Sequence, residues 1–133
     1  MAVDAETERL MLNWVRWLTS SPIGMAAAST YELAAERGWA QDVSMPLINS
    51  DAEEIERAVK QLHEDQRVAI AEYWLRSEPV MMKARRCNCS VRAFWYRLDR
   101  AHQAVHTFRR EQRRREEIAR AAYRRDGRFS FGL

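Results

Sequence analysis

Glycine and proline are scarce in this chain, at 4 and 3 of 133 residues. That excludes collagen-like and low-complexity architectures and disfavours turn-dense all-β folds. Runs of β-branched residues are missing, whereas Ala, Leu, Arg and Glu are abundant, so the expected class is all-α. Only two cysteines occur, Cys87 and Cys89. Two positions apart, they have poor geometry for a structural disulfide, and the expected compartment is a reducing cytoplasm. No apolar run approaches a membrane span, and the acidic start lacks the basic-then-apolar order of a secretory leader. No glycine-rich phosphate loop is present. No motif gathers Ser, His and carboxylate side chains, so neither an enzyme nor a cofactor site is expected.

What the chain does have is charge, unevenly placed. Residues 1–80 hold 7 basic and 14 acidic side chains, and residues 81–133 hold 15 and 5. The halves carry −7 and +10, which hides behind a net charge of +3. All the basic groups after residue 80 are Arg except Lys83. The planar guanidinium fork suits phosphate. A basic C-terminal half therefore points to nucleic acid, and the acidic N-terminal half to a different partner.

Apolar spacing predicts the helices. The first covers about 5–19, with Leu10, Trp14, Trp17 and Leu18 on one face, and Ser20-Ser21-Pro22 stops it. Residues 20–28 read as a loop. Ser29 and Glu32, in capping-box spacing, start a helix over about 30–37, and 38–49 read as a connector containing Trp39. Ser50 and Glu53 repeat the capping pattern before a helix over 51–62. Another runs from Asp65 to Leu75, with Val68, Ala71 and Leu75 inward. A short one opens at Ser77-Glu78-Pro79 and ends near Arg86. The last helix carries Val91, Phe94, Leu98, Ala101, Val105 and Phe108 in alternating steps of three and four. Trp14, Trp17, Trp39 and Trp74 are read as core or core-edge residues.

The densest signal lies at Ala84-Arg-Arg-Cys-Asn-Cys-Ser90-Val-Arg-Ala-Phe-Trp-Tyr-Arg-Leu-Asp-Arg-Ala101. Here a short helix meets a four-residue turn and then a long helix, the layout of a DNA-reading helix-turn-helix. Asn88 falls where a left-handed turn residue is needed, and Ser90 caps the second helix. Phe94 and Leu98 would anchor that helix. Ser90, Arg92, Trp95 and Tyr96, with Asp99 beside them, would face base edges. Lys83, Arg85, Arg86, Arg97 and Arg100 would flank them on phosphates. The competing plain reading is a helical hairpin with a solvated basic face. The Arg109–Arg115 run, likewise, is either a solvated face or a nucleic-acid contact.

The stretch from Ala84 to Ala101 resembles the domain of bacterial sigma factors that reads the promoter −35 element. It departs at Asn88, where that family prefers Gly, and at Phe94, where it prefers an aliphatic residue. Trp14-Val-Arg-Trp17, the block from Ile48 to Leu62, and Tyr73-Trp74 ahead of the turn are together similar to phage Q-type antitermination proteins. The likeness covers most of residues 13–108 and departs in the middle segment and the Arg-rich tail. It implies an all-α protein with a sigma-like helix-turn-helix over 50–108. Residues 1–49 would be an N-terminal helical segment that contacts RNA polymerase or its sigma factor, and 109–133 a long basic extension. It further implies binding to promoter-proximal double-stranded DNA in a bacterial host, loading onto paused RNA polymerase, and suppression of termination. The tail would meet DNA phosphate or nascent RNA. A stand-alone DNA-binding regulator and a purely protein-binding helical module are the alternatives.

A second pattern competes at the same place. Cys87, Cys89, His102 and His106 approach a zinc-finger spacing. Finger cysteines, however, have two to four residues between them, and here there is one. The sequence therefore favours turn-packing thiols over a metal site.

Overall fold

The structure is a computed structural model that describes residues 3–28 and 47–126. Those residues form six helices and no strand. They are α1 (Ala5–Ser20), α2 (Pro22–Ala28), α3 (Asn49–Lys60), α4 (Glu64–Leu75), α5 (Val80–Arg86) and α6 (Val91–Asp126). The expected helix over 30–37 and most of the 38–49 connector, with Trp39, lie outside the described residues. No described helix is long and apolar enough to cross a membrane.

Asp4 starts α1. Its carboxylate accepts from the Thr7 backbone N–H and from the Thr7 hydroxyl, both at 2.9 Å. These contacts satisfy a first-turn donor that has no partner within the helix. Leu10, Met11, Trp14, Val15, Trp17 and Leu18 are buried, as their helical spacing requires. Residues 20–28 are not the expected loop, because Pro22 opens α2. Ser21 serves both helices: its N–H donates to Trp17 O at 3.2 Å, and its hydroxyl accepts from Gly24 N at 2.8 Å. A Ser followed by Pro is an N-cap and first-position pair, and that was the missed signal.

Gly24 lets α2 fold back onto α1. A Cβ there would lie 1.8 Å from the Trp17 carbonyl oxygen. Gly24→Ala ordinarily stabilises a helix by about 1 kcal/mol. Here it should destabilise by roughly 1–3 kcal/mol because backbone must move. Thermal unfolding of the variant measures the sign, and a raised Tm would refute the close approach.

The second capping pattern also resolves differently. Helix α3 begins at Asn49, and Ile48 is its N-cap with no side-chain cap. Asn13 of α1 instead holds the Ile48 backbone: its Oδ1 accepts from Ile48 N at 2.9 Å and its Nδ2 donates to Ile48 O at 2.8 Å. In α4, Ala69, Ile70, Ala71, Trp74 and Leu75 are buried, but Val68 is exposed rather than inward.

One apolar core runs through α1, α3, α4, Ala84 of α5 and the first half of α6. It spans the expected boundary at 49/50, so α1 shares a core with the helices around the turn. Phe94, Leu98, Ala101 and Val105 supply the α6 side of it. Trp14 is fully buried, and its indole donates to the buried Glu56 carboxylate at 3.0 Å. Lys60 faces that carboxylate at 3.4 Å.

Candidate nucleic-acid interface

The turn between α5 and α6 is built by its backbone. Cys89 N–H donates to Ala84 O at 3.1 Å, and Asn88 N–H donates to Arg85 O at 3.0 Å. These crossed bonds form a Schellman motif, which requires a left-handed residue at its apex. Asn88 takes that position with φ 54, and no other described non-glycine residue has positive φ. Asn tolerates the conformation better than most residues. One residue later, the Ser90 hydroxyl accepts from Ala93 N at 3.0 Å and caps α6. Ala84 is buried, so α5 and α6 come close together.

The exposed side is set by this geometry. Arg92, Tyr96 and Arg100 stand four residues apart and share one face of α6. Tyr96 is 63% exposed. The Arg100 guanidinium lies 5.9 Å from the Tyr96 ring centroid, a cation–π contact that holds it along the face. Arg85 and Ser90 are also exposed, and Asp99 accepts from Gln103 at 3.1 Å. These residues are exposed on the side where the sequence reading puts them.

Four other expected contact residues have partners within the fold. Lys83 is only 6% exposed; its amine donates to Tyr73 O at 2.9 Å and stands 4.9 Å from the Tyr73 ring centroid. It ties α5 to α4 instead of reaching outward. Arg86 donates to both Glu78 carboxylate oxygens at 2.7 and 2.8 Å and to the buried Glu72 at 2.9 Å. The hydrogen bonds to Glu78 drive its pKa upward, and Arg76 joins the network through Glu72 at 3.2 Å. Trp95 is half-buried, 5.6 Å from Tyr73 and 6.4 Å from Phe94 between centroids. Arg97 is half-buried and donates to Cys87 O at 3.4 Å, bracing the turn. Charge and spacing put these residues near the turn, but they do not reveal which groups the α4–α5 corner consumes.

Cys87 and Cys89 are half-buried beside the turn, and burial pushes the Cys87 thiol upward in pKa. The two histidines have other work. His102 Nε2 accepts from the Trp74 indole at 3.0 Å. His106 Nε2 meets the Thr7 hydroxyl at 2.8 Å. That hydroxyl already donates to Asp4, so the histidine nitrogen must be the donor. The four zinc-spaced residues are not brought together: among the described residues no group of three or more His, Cys, Asp or Glu could hold a metal.

One charged residue was misread. Arg109 belongs to the Arg-rich run yet is only 7% exposed. It pairs with Glu54 and lies 3.6 Å from Asp51, locking α6 to the start of α3. Its place on the Leu98–Val105 side of α6, one turn beyond Val105, was the available clue. No family model, no curated protein and no solved structure matches the chain.

Proposed function

We propose that the chain is a transcription factor that binds double-stranded DNA through α5, the turn and the start of α6, used as a sigma-like helix-turn-helix. The observation that carries this reading is the Asn88 turn, which presents Arg92, Tyr96 and Arg100 on one exposed face above a fully packed base. Arg92 would read base edges in the major groove, with Tyr96 beside it. Arg85 and Arg100 would grip flanking phosphates, whereas Lys83, Arg86 and Arg97 shape the scaffold. The resemblance to phage Q-type antitermination proteins extends this to a process. In that reading the factor binds a promoter-proximal site, loads onto paused RNA polymerase with its sigma factor, and suppresses termination. The acidic surface of α1 and α3, including Glu6, Glu8 and Glu53, is then the polymerase-facing side. Trp14 and Trp17 support that side from within the core.

Selection of a site from a random duplex library, followed by titration, tests the DNA step. Arg92→Ala should lose about 1–3 kcal/mol on the selected site and relax the preference at one position. Arg85→Ala should weaken all duplexes alike and flatten the salt dependence by about one phosphate. Equal losses on every duplex for both variants would refute base reading by Arg92. Transcription past a terminator then separates the processes. Readthrough that requires the promoter-proximal site supports antitermination, and altered initiation alone supports a stand-alone regulator.

A further inference from the structure

Among the described residues, the second half of α6 adds no side chain to the apolar core. Arg109 joins α6 to the body through ion pairs with Glu54 and Asp51. From Arg110 to Arg125 every described residue is exposed except Gln112 and Ala122, which are half-exposed. This arm carries seven arginines against Glu111, Glu116 and Glu117. At 100° per residue, all of them but Arg115 fall within an arc of about 140°, spread over roughly 22 Å of helix. Glu117 is the one acid inside that arc. The ion pair Arg120–Glu116, at 3.7 Å, lies at its edge.

We propose that this arm is a second nucleic-acid site that binds the phosphates of structured RNA. "Second" rests on the DNA reading above. The arm's own charge and exposure do not. A continuous α6 is about 54 Å long, and the arm begins about 28 Å from its start. The major groove is only about 12 Å wide and about 8.5 Å deep. A duplex seated at Arg92 and Tyr96 is therefore left behind by the straight rod before Arg110. The arm needs a different polyanion. Arginine forks bind phosphate bidentately. The arm offers a single aromatic ring, Tyr123, so stacking of unpaired bases is not its mode. A paired RNA stem, with two phosphate strands, matches a broad arc of guanidinium groups.

Fluorescence anisotropy of the full chain with a short labelled RNA hairpin and, separately, a mixed-sequence DNA duplex tests this. The variant replaces Arg110, Arg113, Arg114 and Arg124 by Gln, with helix content checked by circular dichroism. Hairpin affinity should fall by about 30-fold at moderate salt, and its logarithmic salt slope by about three. Duplex affinity should change less than about threefold, whereas Arg85→Ala should weaken the duplex and leave hairpin affinity within about threefold. An unchanged hairpin affinity overturns the proposal, and so does parallel loss of hairpin and duplex. Displacement of the hairpin by duplex also overturns it. So does a dimer in sedimentation that the Gln variant abolishes, since the arm would then be a contact between copies. Hairpin binding that needs the arm, in a chain that binds no duplex, keeps this site and removes the DNA reading instead.

Discussion

Trp14→Ala should abolish cooperative folding or leave it marginal. Trp14 is fully buried at the junction of α1 and α3. Truncating a buried tryptophan costs about 3–5 kcal/mol in lost burial and in the cavity left behind. The indole N–H also donates to Glu56, which is itself buried. Withdrawing a donor from a buried acceptor costs about 1–3 kcal/mol more. A domain of this size holds roughly 5–15 kcal/mol in total. Urea unfolding followed by far-ultraviolet circular dichroism measures the loss. Trp14→Phe keeps most of the volume while removing the donor, so it should retain a cooperative transition at a lower midpoint. A loss below about 1 kcal/mol for Trp14→Ala would mean that the indole is not an anchor of the core.

The second large effect is loss of stability in mild acid. His102 is buried against Trp74, and its Nε2 accepts the indole hydrogen bond, so the ring is neutral there. Burial holds its pKa down to about 4, against an ordinary 6.5. His106 lowers it further, while Asp4 and Asp99 oppose the shift. Between those two values the unfolded chain binds a proton that the folded chain refuses. Stability from this group is therefore complete above pH 6.5 and drains away as pH falls toward 4. The full window is worth on the order of 3 kcal/mol. Carboxylates with lowered pKa, Asp4 and Glu78, lose their contributions further down, as pH falls below the ordinary carboxylate range. The gap between urea midpoints at neutral pH and near pH 4 should be much smaller in His102→Gln, whose amide oxygen can still accept from Trp74, than in the parent chain. An equal acid loss in both would remove His102 from the account.

Apolar periodicity made α1, α3 and α6 readable, because each buries one face against the same core; α4 is buried on nearly every side, so its pattern put Val68 inward when it is exposed. The turn was readable for a sharper reason: only a few residue types accept a left-handed backbone, and Asn88 followed by Ser90 marks both the end of one helix and the cap of the next. Helix α2 escaped because Pro22 ends one helix and opens another, and the sequence shows only the break. The outer face was legible as Arg92, Tyr96 and Arg100, since residues four apart share a side. Lys83, Arg86 and Arg109 were not, because their charges are consumed by Tyr73 O, by Glu72 with Glu78, and by Glu54 with Asp51. Those partners lie far off in sequence or across a helix corner. Positive charge near a turn predicts phosphate only when no acid from another element has claimed it.

The bond between Thr7 and His106 spans 99 positions of the chain. Contacts of such separation close the longest loops and form late. During synthesis, α1 and α3 can meet as soon as both are made, whereas the sides of α3 and α4 that pack on α6 stay unmatched until α6 emerges. The arm beyond Arg109 comes later still and adds nothing to that closure. Its exposed residues can therefore vary at little cost to the core, so that selection on them can act through what they touch.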